Sequence, residues 1–213
     1  MLMRVAEIWR YPVKSLMGEQ LDRIELGPNG IPGDRLARVE DDRGTVTALR
    51  KQRMVGVHAR IDADGEPEVD GSRWDSPEAA AAIRAVSGDA ARIVRAEDGA
   101  ATFDVAPILV ATDGALDELG YDRRRFRPNI VLEGVEGLAE RGWLGRKLRI
   151  GDAVLAVSEP CERCGMTIIH PDTLEIDPDV LRRVKSELGG VMGMYCEVER
   201  RGSVAVGDQV TVE

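Results

Sequence analysis

The sequence predicts a β-rich α+β fold: a small barrel or sandwich carrying a few helical insertions. Three observations support this. Short segments of alternating or apolar character recur along the chain, separated by glycine- and proline-rich turns. Only three stretches carry helix punctuation. Aromatics make up 4% of the 213 residues, so the core must be assembled from Val, Leu, Ile and Ala. A chain of this length suits one large domain or two small interlocked ones.

The first strand runs from Arg4 to Ile8. Pro12 cannot donate to a ladder, so Val13 to Leu16 is expected as a loop at the strand's edge. Gln20 to Leu26 alternates and predicts a second strand. The cluster Gly27 to Gly33 is dense in turn formers. Leu36 to Glu40 and Thr45 to Leu49 form a hairpin about Asp41–Gly44, and a further pair is expected around Val55 to Ile61 and Pro67 to Val69. Ser76, Pro77 and Glu78 open a helix that Gly88 closes. Ala90 to Gly99 predicts a strand and a polar turn. A soft division there gives an N-terminal region, 1–98, and a C-terminal domain, 99–213.

The second part opens with the apolar run Phe103 to Thr112, and Gly114 to Leu119 is expected as a short helix closed by Gly120. Pro128 to Glu133 is a strand. Leu148 to Ile150 and Ala153 to Val157 form a hairpin. Asp177 caps a helix over Pro178 to Leu188, which Gly189-Gly190 stops. The last strands are Val191 to Glu199 and Val204 to Val212.

The formal net charge of −9 disfavours nucleic acid and anionic membrane as generic partners. No apolar h-region opens the chain and no apolar run is long enough to span a bilayer. The three cysteines, Cys161, Cys164 and Cys196, are an odd set without a secretion signal, which predicts a reducing cytoplasm. One local exception to the acidity is Asp122-Arg123-Arg124-Arg125-Phe126-Arg127. It reads either as a solvated turn or as a small anion site, because guanidinium groups match phosphate geometry.

Cys161-Glu162-Arg163-Cys164 has several readings. Half of a zinc site would need two further ligands from Cys196, His58 and His170, which have no paired spacing. A redox pair would need a helix after the first cysteine, whereas Gly165 to Pro171 is expected to be extended. A single thiolate on a soft metal centre, aided by Arg163, and a pair of small core fillers both remain open. Lys14-Ser15 and Asp34-Arg35 gain weight only if the fold brings them to the arginine cluster. His58 and His170 lack a neighbouring nucleophile and are expected to be structural.

Taken in order, Tyr11-Pro12-Val13-Lys14-Ser15-Leu16, Gly33-Asp34-Arg35, Arg125-Phe126-Arg127-Pro128-Asn129-Ile130, Trp143-Leu144-Gly145, Leu148 to Gly151, Pro160 to Cys164, and Gly193-Met194-Tyr195 to Val206-Gly207-Asp208 resemble the MOSC family. The family is named for the C-terminal domain of molybdenum cofactor sulfurase. The N-terminal part is similar to the β-barrel region that precedes MOSC in amidoxime-reducing proteins. The resemblance implies a MOSC-type β-barrel with helical insertions, preceded by a smaller interlocked β/α region. It implies a molybdenum cofactor, a molybdopterin, with Cys164 as the metal ligand. Lys14, Ser15, Arg35, Arg127 and Asn129 would hold its phosphate and pterin. No family motif falls between Asp104 and Asp113, so Thr112 is only a weak candidate for cofactor contact. It further implies reduction of N-hydroxylated small molecules, using a separate ferredoxin-, flavodoxin- or cytochrome-like donor. Three cysteines cannot supply an all-cysteine iron–sulfur cluster in the same chain. A cofactor carrier or sulfur-transfer accessory is the alternative, and the family also carries an association with pyridoxal phosphate.

Overall fold

The computed structural model describes residues 2–96 and 102–213. The expected division at 98 and 99, and the end of the predicted polar turn, lie outside the described residues. In chain order the elements are β1 (Arg4–Arg10), β2 (Glu19–Leu21), β3 (Arg23–Leu26), β4 (Ala37–Asp41), β5 (Gly44–Val46), β6 (Ala59–Ile61), β7 (Pro67–Val69), β8 (Ser72–Arg73), α1 (Pro77–Ser87) and β9 (Arg92–Arg95). There follow β10 (Ile108–Thr112), α2 (Asp113–Leu119), β11 (Ile130–Glu133), β12 (Lys147–Ile150), β13 (Ala153–Glu162), α3 (Pro178–Leu188), β14 (Val191–Arg200), β15 (Gly202–Ala205) and β16 (Val210–Val212).

An eight-stranded sheet, in the order β16-β12-β13-β14-β10-β11-β1-β2, dominates the fold. Only β10 and β11 run parallel, and α2 makes the crossover between them. All five residues of β10 are buried, so its sequence is a continuous apolar run rather than an alternating one. The N-terminal strands β1 and β2 belong to this sheet, and β3 pairs with β15 near the C-terminus. Two three-stranded sheets, β5-β4-β9 and β6-β7-β8, pack with α1 around a second core that includes Val13, Leu16, Val39, Met54 and Ile83. Ile169, from the C-terminal half, is buried in that N-terminal core. The two regions therefore interlock, as the resemblance implies.

Helix boundaries follow the local punctuation. Ser76 Oγ accepts the Ala79 N–H at 3.1 Å and Gly88 closes α1. Asp177 Oδ1 accepts the Asp179 N–H at 3.0 Å, and α3 buries Val180, Val184 and Leu188 at four-residue spacing.

Four expectations are corrected. The strand over Gln20 to Leu26 is two strands with a bend at Asp22, because β2 follows β1 while β3 turns to meet β15. The expected strand Val204 to Val212 is two, β15 and β16, broken between Ala205 and Val210. In the apolar run Phe103 to Thr112 the strand begins at Ile108. Pro107 has no N–H for the ladder, and Thr102 is instead tied to the Arg35 carbonyl by its N–H and its hydroxyl, each at 3.0 Å. Val55 lies in a 3-10 turn, Gln52–Gly56, before β6 begins. Gly165 to Ile168 is a 3-10 turn rather than extended chain.

Candidate functional site

One cavity, of about 410 Å³, gathers residues from both halves of the chain. That volume is within the range of small-molecule sites, roughly 300–1,000 Å³. Lys14 and Ser15 come from the loop after β1, and Arg35 from the turn before β4. Arg127 ends a 3-10 turn, Arg123–Phe126, and Asn129 precedes β11. Cys161 ends β13 on one wall, Cys164 and Met166 follow it, and Tyr195 stands on β14. The segment Thr102 to Pro107 forms the facing wall. Exposed Leu49 and Val105 give the lining an apolar edge.

The positive residues are held by a buried scaffold. Asp34 Oδ1 accepts the Tyr11 N–H at 2.6 Å, and both Asp34 oxygens accept from Arg35 Nη1, at 2.8 and 2.6 Å. The Asn129 amide donates to Asp34 Oδ2 at 3.2 Å and to the Trp9 carbonyl at 3.3 Å, while its oxygen accepts the Leu109 N–H at 3.1 Å. Asn129 thus locks strand ends together, and its two donors are already committed. Tyr11 is fully buried, with the Arg35 and Arg127 guanidiniums over its ring at 4.6 and 4.2 Å. Burial pushes the Tyr11 phenol up to about 12. Burial also draws Arg127 down to about 10, which leaves it a cation at neutral pH.

Two features mark this cavity as built for a ligand. Arg127 Nη1 and Arg163 Nε are buried and have no hydrogen-bond partner. Such orphan donors are costly unless something arrives to accept from them. Ser15, Arg35 and Arg127 also adopt left-handed backbone conformations, with φ of 69°, 48° and 53°. Left-handed non-glycine residues cluster at functional sites. An anionic group of phosphate chemistry fits both observations.

The two cysteines differ. Cys161 is buried and receives Arg163 Nη1 at 2.9 Å; Cys164 is exposed. Arg163 therefore serves Cys161, not Cys164 as a reading from sequence proximity suggests. The Tyr195 phenol is pushed above its ordinary range by burial and by the neighbouring Cys161 thiol. Cys196 is buried apart from both, its thiol pushed up by desolvation. Among the described residues the zinc reading finds no partner ligands around Cys164: the one three-ligand cluster is Asp122, His170 and Asp172. There Arg124 already bridges both carboxylates at 2.6 Å, so the charge a cation would neutralise is spent.

Thr112 stands apart from the other predicted site residues. It is fully buried, its Oγ1 caps α2 by accepting the Ala115 N–H at 3.2 Å, and it donates to Glu140 Oε2 at 3.2 Å. A helix cap at the end of β10 explains it, and the cavity does not reach it. The arginine cluster also divides. Arg123 pairs with Glu7, Arg124 with Asp122 and Asp172, Arg125 is buried against backbone, and Arg127 alone enters the cavity. Tyr11, Asp34 and Tyr195 lie within the quoted motifs without a separate role of their own there, and Leu49 carried no signal in the sequence.

Residues 2–106 match the MOSC N-terminal beta barrel domain and residues 109–211 the MOSC domain. Mitochondrial amidoxime-reducing component 1 of Mus musculus is 34% identical over 55% of this chain, a stretch spanning 40% of that protein. Its Homo sapiens counterpart is 25% identical over 97% of this chain and 82% of its own length. The YUAD protein from Bacillus subtilis shares the fold, with a TM-score of 0.52 at 16% identity, over 100% of this chain and 96% of that one. Among the described residues no helix is long and apolar enough to cross a membrane. An N-terminal barrel region and a C-terminal domain, each matched by its own family model and closing together on one cationic, thiol-lined cavity, place this chain in the MOSC family.

Proposed function

We propose that the chain binds a molybdenum cofactor and reduces N-hydroxylated small molecules, with electrons from a separate protein. The observation that carries this reading is the meeting of an exposed thiol, Cys164, with orphan guanidinium donors in one cavity. A thiolate suits a soft metal centre, and Lys14, Ser15, Arg35 and Arg127 suit the phosphate of its pterin. When bound, the cofactor supplies two-electron oxygen-transfer chemistry, so the protein's share is binding, orientation and electrostatics. The net reaction takes R–NH–OH, two electrons and two protons to R–NH2 and water.

Within that division of labour, Tyr11 presents a face to Arg35 and Arg127 and keeps both side chains extended into the cavity. Asp34 neutralises part of their charge in the absence of ligand. Arg163 fixes the Cys161 sulfur and leaves Cys164 as the accessible thiol. The apolar edge at Leu49 and Val105 admits the carbon part of a substrate.

The test is molybdenum and pterin content of protein purified from a host that makes the cofactor, followed by benzamidoxime reduction with a reduced viologen as donor. Near-stoichiometric molybdenum with turnover supports the reading. Stoichiometric cofactor without turnover favours the carrier alternative, and its absence from a competent host overturns both.

A further inference from the structure

We propose that Arg125 is a positioning residue: it fixes the Cys164 turn against the arginine turn, and so sets where the Cys164 sulfur lies relative to Arg127. This rests on the cofactor reading above and deepens it.

The turn that begins at Cys164 is short and weakly held from within. Thr167 N–H and Oγ1–H both donate to the Cys164 carbonyl, at 3.2 and 3.0 Å, and Ile169 N–H donates to Met166 at 3.3 Å. Cys164 makes no side-chain cap. The Ile168 carbonyl at the far end of the turn accepts the Asp177 N–H at 2.8 Å and has a second lone pair open to a cation. Arg125 supplies it, with Nη1 donating to the Ile168 carbonyl at 2.8 Å and to Thr167 at 3.4 Å.

The residue doing this is a buried arginine whose Nε has no partner. A buried charge is costly and an apolar side chain would fill the space more cheaply. Its place in the chain explains why it is kept. Arg125 and Arg127 are two residues apart on one turn, the first aimed at the Cys164 turn and the second lining the cavity. Neither turn can shift without breaking the Arg125 contact. Arg124 repeats the link further out, through its ion pair with Asp172. On the other side Met166 and Ile168 pack against the N-terminal core, so Arg125 is the polar half of a two-sided grip.

The test is amide hydrogen exchange on cofactor-free protein, made in a host unable to synthesise the cofactor. In Arg125→Gln the Thr167 and Ile169 amides should exchange about tenfold faster, with α1 and the β12–β13 hairpin unchanged. Arg125→Lys keeps the charge but not the forked geometry, so the same amides should accelerate by a smaller factor. It also guards against a failure of Arg125→Gln to fold. No acceleration in either folded variant, or equal acceleration across α1 and β12–β13, overturns the proposal. In a cofactor-competent host, Arg125→Gln should lower molybdenum content while the melting temperature holds. Normal content despite accelerated exchange also overturns it. Molybdenum missing from the unaltered protein would instead refute the cofactor reading and leave the exchange result standing.

Discussion

Replacing Asp34 by Asn tests whether the cavity's positive charge is held in place by one carboxylate. The side chain accepts from Tyr11, Arg35 and Asn129 and is almost fully buried, whereas Arg35 retains slight exposure. Asparagine keeps the shape and one acceptor. Its amide group, however, faces donors on Arg35 or Asn129, and Arg35 and Arg127 lose their neutralising partner beside the Tyr11 ring. Removing one partner of a buried pair costs about 3–5 kcal/mol, and the residual exposure of Arg35 argues for the lower end. For a chain of this size, about 3 kcal/mol lowers the melting temperature by roughly 6–12 °C. The assay is thermal unfolding at low salt, with Asp104→Asn as the control. Asp104 also pairs with a cavity cation, Lys14, but is 77% exposed, so its loss should cost under about 1 kcal/mol. Phosphate should restore more stability to Asp34→Asn than to the unaltered protein, because a dianion replaces the missing charge. Equal, small losses in the two variants would refute the reasoning and reduce the Asp34 network to ordinary surface pairing.

Other perturbations separate the remaining roles. Cys164→Ser should abolish molybdenum content and leave the melting temperature unchanged, because the thiol is exposed; Cys161→Ser should retain most of the metal. Elemental analysis showing the reverse would move the ligand to Cys161. Gly114→Ala should lose more than about 2 kcal/mol in denaturant unfolding, although alanine is the better helix former. A Cβ there would stand 2.4 and 2.5 Å from the Gly137 and Val135 carbonyl oxygens, and a gain in stability would contradict that close approach. Burial raises the Glu140 carboxyl above its ordinary range, so the folded state keeps its proton at a pH where the unfolded state has lost it. The stability this confers below the unfolded value is lost as pH rises through the folded value. Glu140→Gln escapes that loss, and its melting temperature relative to the unaltered protein should climb from pH 4 to pH 7; a falling difference would reverse the assignment.

What the sequence disclosed was local or ordered along the chain. Helices α1 and α3 were legible because Ser76-Pro77 and Asp177-Pro178 satisfy orphan backbone donors within a single turn of their own residues. The bend at Asp22 was not, since it depends on a partner strand some 180 residues away, at Arg23 and Ala205. The same limit hid the inner wall of the cavity. Leu49 reads as the end of a hairpin and Phe103 as the start of an apolar run, and only the folded chain sets them around Cys164. Arg163 illustrates the opposite error: adjacency to Cys164 invited a pairing, but β13 ends at Glu162 and the Arg163 guanidinium reaches back to Cys161. Thr112 fell to a competing local use, since a threonine between an apolar strand and a helix is also a natural cap.

The backbone at Arg127 adds a conformational cost to the cationic cavity. Arg127 ends its turn with φ of 53°, the same left-handed closure found at Gly120 after α2, φ 69°, and at Gly189 after α3, φ 65°. At those two ends the chain uses glycine, which adopts this conformation freely. A side-chain-bearing residue pays roughly 1 kcal/mol or more to do so. Arg127 adds the desolvation of a charge and an orphan Nη1. Each of these is unfavourable for folding, and a glycine would remove all three. Ser15 and Arg35 repeat the backbone strain on the same cavity. These costs meet at one cavity, and an anion of matching shape would offset the unpaired charge and the orphan donor together.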